Sequence, residues 1–400
     1  MDFNGRKYYF IFQYFQIEIL HLPFKGSERE SMQLRHSLIA NSSHCFLRHP
    51  YFKTLFDSSL SLSTRKLNSS VGMEDSAFLI VLRGKSRSEE EYASSLKHKK
   101  SLRLPDGELQ ILLQSELQQN DATKTFQIDS YMDILSTHQF GRLLIWSPRI
   151  SSTHDLVSLN FCELPLGTAC IADVQVKGRG RAKNVWQSPV GCLLFSFTLQ
   201  MDNGRIVPHV QYVVSLAVTE AIKVICKEKG LPDLDVKIKW PNDLYLNGLK
   251  VGGILCTSTY RSKKFNVSAG IGLNVDNHEP TTCLNAVLQK LTSGAQCLRR
   301  EHILAAFFER FEVLFDVFIN QGFQALEEVY YATWLHSGQK VVIEEKNEYG
   351  LPQKSVVTVQ GLTPSGYLLA VDDEDKRYEL HPDGNSFDFF QGLIRRKVEA

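Results

Sequence analysis

The sequence predicts an α/β protein of the α+β kind, with helices packed on a largely antiparallel sheet and a small β-barrel at the end. Three observations carry that class. Apolar residues recur at helical spacing from Val210 through Val213, Val214, Ala217 and Ala221 to Val224, which defines one buried stripe. From Val236 to Val275 the pattern changes to strand-length segments joined by tight-turn residues, as in an antiparallel meander. After Trp334 only short strands separated by turns remain.

Residues 1–125 carry mixed signals: an aromatic start, a Ser-rich stretch from Ser58 to Ser70, a short apolar run from Ala77 to Leu82, then clustered charge. The acidic trio Glu89 to Glu91 and the basic group Lys97, Lys99 and Lys100 read as a solvated face. From Gln127 the punctuation becomes regular, so one domain is expected over 126–335 and a small barrel over 336–400. Pro208 opens the amphipathic helix, Lys223, Lys227 and Lys229 complement its C-terminal dipole, and Gly230 and Pro232 stop it. Val236, Ile238 and Trp240 then alternate with Lys237 and Lys239 as a half-buried strand does, before Pro241-Asn242-Asp243 turns the chain. A second strand starts at Leu244. Asn247-Gly248 is the hairpin turn into a third, Leu249 to Thr257, and a fourth runs from Asn266 to Val275. A long helix follows with Leu304, Phe307, Phe308, Phe311, Leu314, Phe315 and Phe318 on its buried side. The barrel strands are Lys340 to Glu344, Ser355 to Gln360, Tyr367 to Val371 and Arg377 to Leu380.

Composition narrows the class of function. With 400 residues and 43% hydrophobic content the chain can bury a sizeable core. Lys plus Arg number 45 against 44 Asp plus Glu, so nucleic acid and anionic membrane are not expected as partners. Any anion must be met by a local cluster. The 8 cysteines, Cys45, Cys162, Cys170, Cys192, Cys226, Cys256, Cys283 and Cys297, form no C-x-x-C pair and have mostly apolar neighbours. Reduced, buried thiols are expected rather than a disulfide framework or a zinc site. No uninterrupted apolar stretch is long enough for a membrane span, and Gln13, Gln16 and Glu18 break the apolar run from Tyr8 to Leu22. Asp2 and Glu18 weaken a mitochondrial presequence, so the cytoplasm is the expected compartment, with a mitochondrial pool as the alternative.

Three segments carry residues suited to chemistry. The run from Gln175 to Trp186 holds Gly178 and Gly180 among Lys177, Arg179, Arg181 and Lys183. Glycines let backbone N–H groups approach a ligand, and Arg grips a phosphate or carboxylate bidentately. Four like charges also make the empty loop mobile, and an exposed basic turn is the competing reading. The second segment pairs Lys239-Trp240-Pro241-Asn242-Asp243 with Lys250-Val251-Gly252-Gly253, where the hairpin points Asp243 and Lys250 to one cleft. Two glycines weaken a strand unless something must approach closely; a solvated edge lysine beside a turn-forming aspartate is the alternative. The third, Ser152-Thr153-His154-Asp155, has the spacing of a helix N-cap, whose hydroxyls can also meet a polar small molecule.

In order and spacing these segments resemble the biotin–protein ligases of the eukaryotic holocarboxylase synthetase type. The matches are Ser152-Thr153, Gln175-x-x-Gly178-Arg179-Gly180-Arg181, the run from Trp186 to Cys192, Lys239 to Asp243, Lys250 to Gly253, Gly270 to Asn274, Trp334 to Gly338 and His381 to Ser386. Ala182-Lys183 stands where relatives usually have two glycines, and His154 replaces a more typical Asn or Gln. The resemblance implies a mixed, largely antiparallel sheet with packed helices and an SH3-like C-terminal barrel. It implies that biotin and ATP, with Mg²⁺, form biotinyl-5′-adenylate, and that a lysine in the biotin acceptor domain of a carboxylase takes the biotinyl group. It also implies that Ser152, Thr153 and Gln175 contact the biotin ureido group, that Arg179, Gly180 and Arg181 close over carboxylate and phosphate, that Lys250 sits at the reacting oxygens, and that His154 and Gly178 belong to the binding set. Trp186, Lys239, Asn242, Lys250, Gly253 and Asn274 complete the expected binding set, with Arg181, Lys250 and Asp243 as catalytic residues and no protein metal ligands.

A lipoate–protein ligase uses the same adenylation logic with a long apolar channel, and the Ser-Thr pair and barrel favour biotin over it. A non-catalytic scaffold with a degenerate site is opposed by intact Arg181, Asp243 and Lys250. A ligase fused to a repressor is opposed by the lack of a helix-turn-helix pattern in residues 1–125.

Overall fold

The structure, a computed structural model, describes residues 77–117, 125–181, 184–277, 279–292, 297–346, 352–381, 385–388 and 393–396. Strand β1 (Phe78–Gly84), helix α1 (Arg87–Lys99) and strand β2 (Leu109–Leu113) come first, followed by α2 (Ile128–Ile134), β3 (Leu143–Ser147), α3 (Thr153–Leu159), β4 (Ala169–Ala172) and β5 (Cys192–Met201). The amphipathic stripe forms α4 (Val210–Glu228). The meander forms β6 (Lys237–Lys239), β7 (Asp243–Leu246), β8 (Leu249–Arg261) and β9 (Lys264–Asn274). Then come α5 (Leu284–Leu291), the long α6 (Arg300–Gln321) and α7 (Glu327–Thr333). The C-terminal strands are β10 (Lys340–Lys346), β11 (Pro352–Leu362), β12 (Leu368–Val371), β13 (Arg377–Leu380), β14 (Asn385–Asp388) and β15 (Leu393–Arg396).

The first nine strands build one sheet in the order β2-β1-β3-β4-β5-β9-β8-β7-β6. It is mixed, since β1 pairs β2 and β3 pairs β4 in parallel while the other neighbours are antiparallel. The centre is β5 on β9, whose apolar face meets α6: Phe195 lies 5.0 Å from Phe307, and Phe197 lies 4.9 Å from Phe311, both edge-on. Helix α4 packs beside α6. It is long and apolar enough to cross a bilayer, yet most of it is buried in this core. Asn247 (φ 51°) and Gly248 (φ 78°) both take left-handed backbone, as a two-residue hairpin turn requires. The remaining six strands form a second sheet, β13-β12-β11-β10-β15-β14, in keeping with the SH3-like unit expected there.

The expected boundary at residue 125 needs correction. The run from Ala77 to Leu82 becomes β1, which pairs Val81 with Trp146 and Leu82 with Ile145 of β3. Cutting at 125 removes two strands and bares one edge of β3, so residues 78–113 belong to the same folding unit as the rest of the sheet. The charge run is also more than a solvated face: Glu89 accepts from Arg142 Nε at 2.6 Å and Glu90 from Arg83 Nη1 at 2.7 Å, which ties α1 to the sheet. Among the described residues the seven cysteines form no disulfide and five of them are buried; Cys45, the Ser-rich stretch and the apolar run from Tyr8 lie outside the described residues.

Candidate active site

A cleft of about 430 Å³ opens over the face of β5, β9, β8 and β7. Two hydrogen-bonded groups of side chains line it. The first starts at α3, where Ser152 Oγ caps the helix by accepting from Asp155 N at 3.2 Å. The next residue, Thr153, donates to Gln175 Oε1 from both its backbone N (2.8 Å) and its hydroxyl (3.0 Å), and the hydroxyl lies 2.9 Å from Ser196 Oγ of β5. His154 Nε2 is 3.1 Å from Thr257 Oγ1 of β8. This group is uncharged and mostly buried, with Gln175 and Thr257 half-buried.

The second group is charged. Lys250 Nζ meets Asp243 Oδ1 at 2.6 Å and stands 5.5 Å from the Trp186 ring centroid. Arg181 Nη1 donates to Asn242 Oδ1 at 3.1 Å. Asn242 is itself fixed, because Ile254 N donates to its carbonyl at 2.9 Å and its amide returns a bond to Ile254 O at 2.6 Å. Arg179 is half exposed and is held by Asp155 Oδ1. The loop that supplies both arginines is a narrow hairpin, closed by Gly180 N to Asn184 O (2.8 Å) and Trp186 N to Gly178 O (2.9 Å). Ala182 and Lys183 lie outside the described residues.

The two groups meet along β9. Gly270 and Gly272, two residues apart, face the same side. A Cβ on Gly270 would sit 3.1 Å from His154 Cδ2, and one on Gly272 only 2.5 Å from Trp186 Cε2 and Nε1. The indole therefore lies against bare backbone, and its Nε1 is buried with no hydrogen-bond partner among the described residues. A bulge in β8 decides which of the paired glycines joins it: Tyr245 pairs with Lys250 but Leu244 with Gly252, so Val251 is skipped. Gly253 consequently opposes Asp243 on the cleft face, 3.2 Å from Trp186 Cζ3 for an added Cβ, while Gly252 turns towards Leu244 and Leu273.

Of the residues expected from the sequence, Ser152, Thr153, His154, Gln175, Arg179, Gly180, Arg181, Trp186, Lys239, Asn242, Asp243, Lys250 and Gly253 line the cleft. Two do not. Asn274 is buried below it, donating to Thr282 O at 3.0 Å and accepting from Cys192 Sγ at 3.5 Å, so its polar atoms are engaged in the core. Gly178 is buried at the loop base, where a Cβ would strike Trp186 O at 2.5 Å; it is needed for backbone packing. Sequence reasoning missed Ser196, Asn184 and Leu380, which line the cleft from β5, the hairpin and β13. Nothing local marks Leu380, because its place depends on how the second sheet docks.

Burial pushes His154, His209 and His336 down to about 4 from the usual 6.5. In the unfolded chain each titrates near 6.5, so between pH 6.5 and 4 unfolding takes up protons and stability falls as pH falls. Above pH 6.5 the contribution is fully present. With three such groups the slope approaches about 4 kcal/mol per pH unit. Equilibrium denaturation at pH 7, 6 and 5 is expected to show this steepness, and His209→Gln to reduce it by about 1.4 kcal/mol per unit. An unchanged slope in that variant would mean that His209 does not contribute.

The chain has relatives among known proteins. A family model, the biotin/lipoate A/B protein ligase family, matches residues 146–274. The protein named biotin–protein ligase 1, chloroplastic, of Arabidopsis thaliana is 62% identical over 327 residues, covering 81% of this chain and 89% of its own length. The biotin–protein ligase of Homo sapiens is 33% identical over 287 residues, 69% of this chain and 38% of that protein. Among solved structures, biotin protein ligase from Aquifex aeolicus in complex with biotin and ATP is 27% identical with a TM-score of 0.46, covering 59% of this chain and 94% of that one. A relative this similar, matched over nearly its whole length, shows that the chain belongs to the biotin–protein ligases.

Proposed function

We propose that this biotin–protein ligase works through an acyl-adenylate. A carboxylate oxygen of biotin attacks the α-phosphorus of ATP and pyrophosphate leaves; the ε-amine of an acceptor lysine then attacks the acyl carbon, AMP leaves and an amide forms. One observation carries the reading: a single cleft joins a mostly buried, uncharged hydrogen-bonding group to a cluster of cations. Thr153, Gln175 and Ser196 suit the ureido ring of biotin, with Ser152 and His154 shaping that side. Joining a carboxylate to a phosphate concentrates negative charge, and Arg179, Arg181, Lys239 and Lys250 supply positive charge where it develops. The adenylate is a mixed anhydride that water destroys, so the 178–186 hairpin serves to cover it until the acceptor arrives. The role proposed for Asp243, which pairs with Lys250 Nζ at 2.6 Å, is to orient or deprotonate the acceptor amine.

Among the described residues no group of three or more His, Cys, Asp or Glu is placed to hold a metal, and Asp243, the cleft's carboxylate, is already paired with Lys250. Any Mg²⁺ arrives on the ATP phosphates. The acceptors we propose are the biotin domains of biotin-dependent carboxylases. The cytoplasm is the proposed compartment, with a plastid pool as the alternative that the name of the Arabidopsis relative raises.

The test is pyrophosphate release with biotin or lipoate as the acid. Biotin is expected to drive release and lipoate to leave it at background; lipoate turnover equal to that with biotin would overturn the substrate assignment. Mass analysis of a carboxylase acceptor domain after the reaction reads the second step, with one lysine expected to gain the biotinyl group.

A further inference from the structure

Trp240 is buried and is held at both of its N–H groups. Its main-chain N–H donates to His336 Nε2 at 2.9 Å, and its indole N–H donates to Tyr212 Oη at 3.0 Å. Both partners reach away from the cleft. Tyr212, on α4, passes its own hydroxyl proton to Gly366 O at 2.6 Å, in the turn between β11 and β12. His336 lies between α7 and β10 with its other ring nitrogen 3.0 Å from Gln339 Oε1, and the carbonyl of Gln339 accepts from Val359 N of β11 at 2.9 Å. The residues after Trp240 are the Pro241-Asn242-Asp243 turn, which brings Asn242 to Arg181 and Asp243 to Lys250. From the same C-terminal sheet, Leu380 lines the cleft directly.

We infer that Tyr212 and His336 are positioning residues for ligation, which make the charged half of the cleft depend on the C-terminal sheet. The Tyr212 hydroxyl accepts one bond and donates another, so removing it takes away at once the bond that the buried indole N–H donates and the one that the buried Gly366 carbonyl accepts. The nearest relief is for Trp240 to shift, and the turn that follows it shifts too. Thr153, Gln175 and Ser196 are attached to none of these bonds. The C-terminal sheet is then a wall and a brace of the cleft rather than an appended module.

The inference rests on the adenylation reading, and the experiment separates the two. Tyr212→Phe removes one oxygen and keeps the ring packed against Phe323 and Tyr330, at 5.7 and 5.3 Å. The kcat/KM for ATP in adenylate formation is expected to fall about tenfold while the KM for biotin stays within about twofold, since misplacing reacting groups by a fraction of an ångström is enough. Trp240→Phe should show the same loss, and the double variant no more than either alone. His336→Gln, which keeps an acceptor at similar reach, should retain activity that His336→Leu loses; this pair carries the test if Tyr212→Phe does not melt cooperatively. Unchanged ATP kinetics in a cooperatively melting Tyr212→Phe chain, or losses that multiply in the double variant, would overturn the inference. ATP affinity by titration calorimetry is read in parallel. A parent that binds ATP yet makes no adenylate sinks the adenylation reading, whereas weaker ATP binding in Tyr212→Phe still supports the positioning role, and a parent that does neither overturns both.

Discussion

Lys250→Met is expected to slow single-turnover adenylate synthesis by about 10²-fold or more, because one preorganised charge at such a transition state contributes a few kcal/mol. The fold should be nearly unaffected. The Lys250 side chain is 37% exposed, and its pair with Asp243 and its contact with Trp186 are both partly in solvent. Pairs of that kind contribute about 0–1 kcal/mol to stability. Methionine keeps the length of the stem, so the cleft wall is preserved and the comparison isolates the charge. A synthesis rate within tenfold of the parent, at matched melting temperature, would remove Lys250 from the chemistry.

Gly272→Ala is expected to be nearly as damaging, for a steric reason. The added methyl would stand 2.5 Å from two atoms of the Trp186 ring, closer than any side chain tolerates, so the ring must move. It has little room, since Gly253 lies under the same ring and Lys250 stands over it. Displacing the indole opens the wall between the two halves of the cleft and takes away the surface on which Lys250 rests. A loss of about 10- to 100-fold in kcat/KM is expected, the range for groups misplaced by about an ångström. Activity within threefold of the parent would show that Trp186 can shift without consequence.

Local sequence determined a good deal of this. The stripe from Val210 to Val224 became α4, the Asn247-Gly248 hairpin formed where its turn residues demand it, and Ser152 became the helix cap that its spacing implies. Each is set by neighbours a few residues away, which is where helical period, turn chemistry and capping act. The ordered motifs from Ser152 to Ser386 likewise pointed to the right family, because residue types at fixed spacing are a property of the chain itself.

What the local pattern does not hold is the choice of distant partner. The run from Ala77 to Leu82 reads as apolar, but only pairing with β3 makes it part of the main sheet. Lys250 and Asp243 were legible as a pair across a hairpin, whereas the skipped Val251, which turns Gly253 rather than Gly252 to Trp186, was not: a bulge slips register by one residue without changing composition. Asn274 sits in a motif full of cleft residues, yet its bonds to Thr282 and Cys192 draw it into the core. Leu380 comes to the cleft from the second sheet, and the bonds from Trp240 to Tyr212 of α4 and to His336 after α7 span 28 and 96 residues of chain. Periodicity tells which face of an element is apolar; only packing decides what that face meets, because burial rewards any apolar partner of the right shape and leaves the selection to the whole fold.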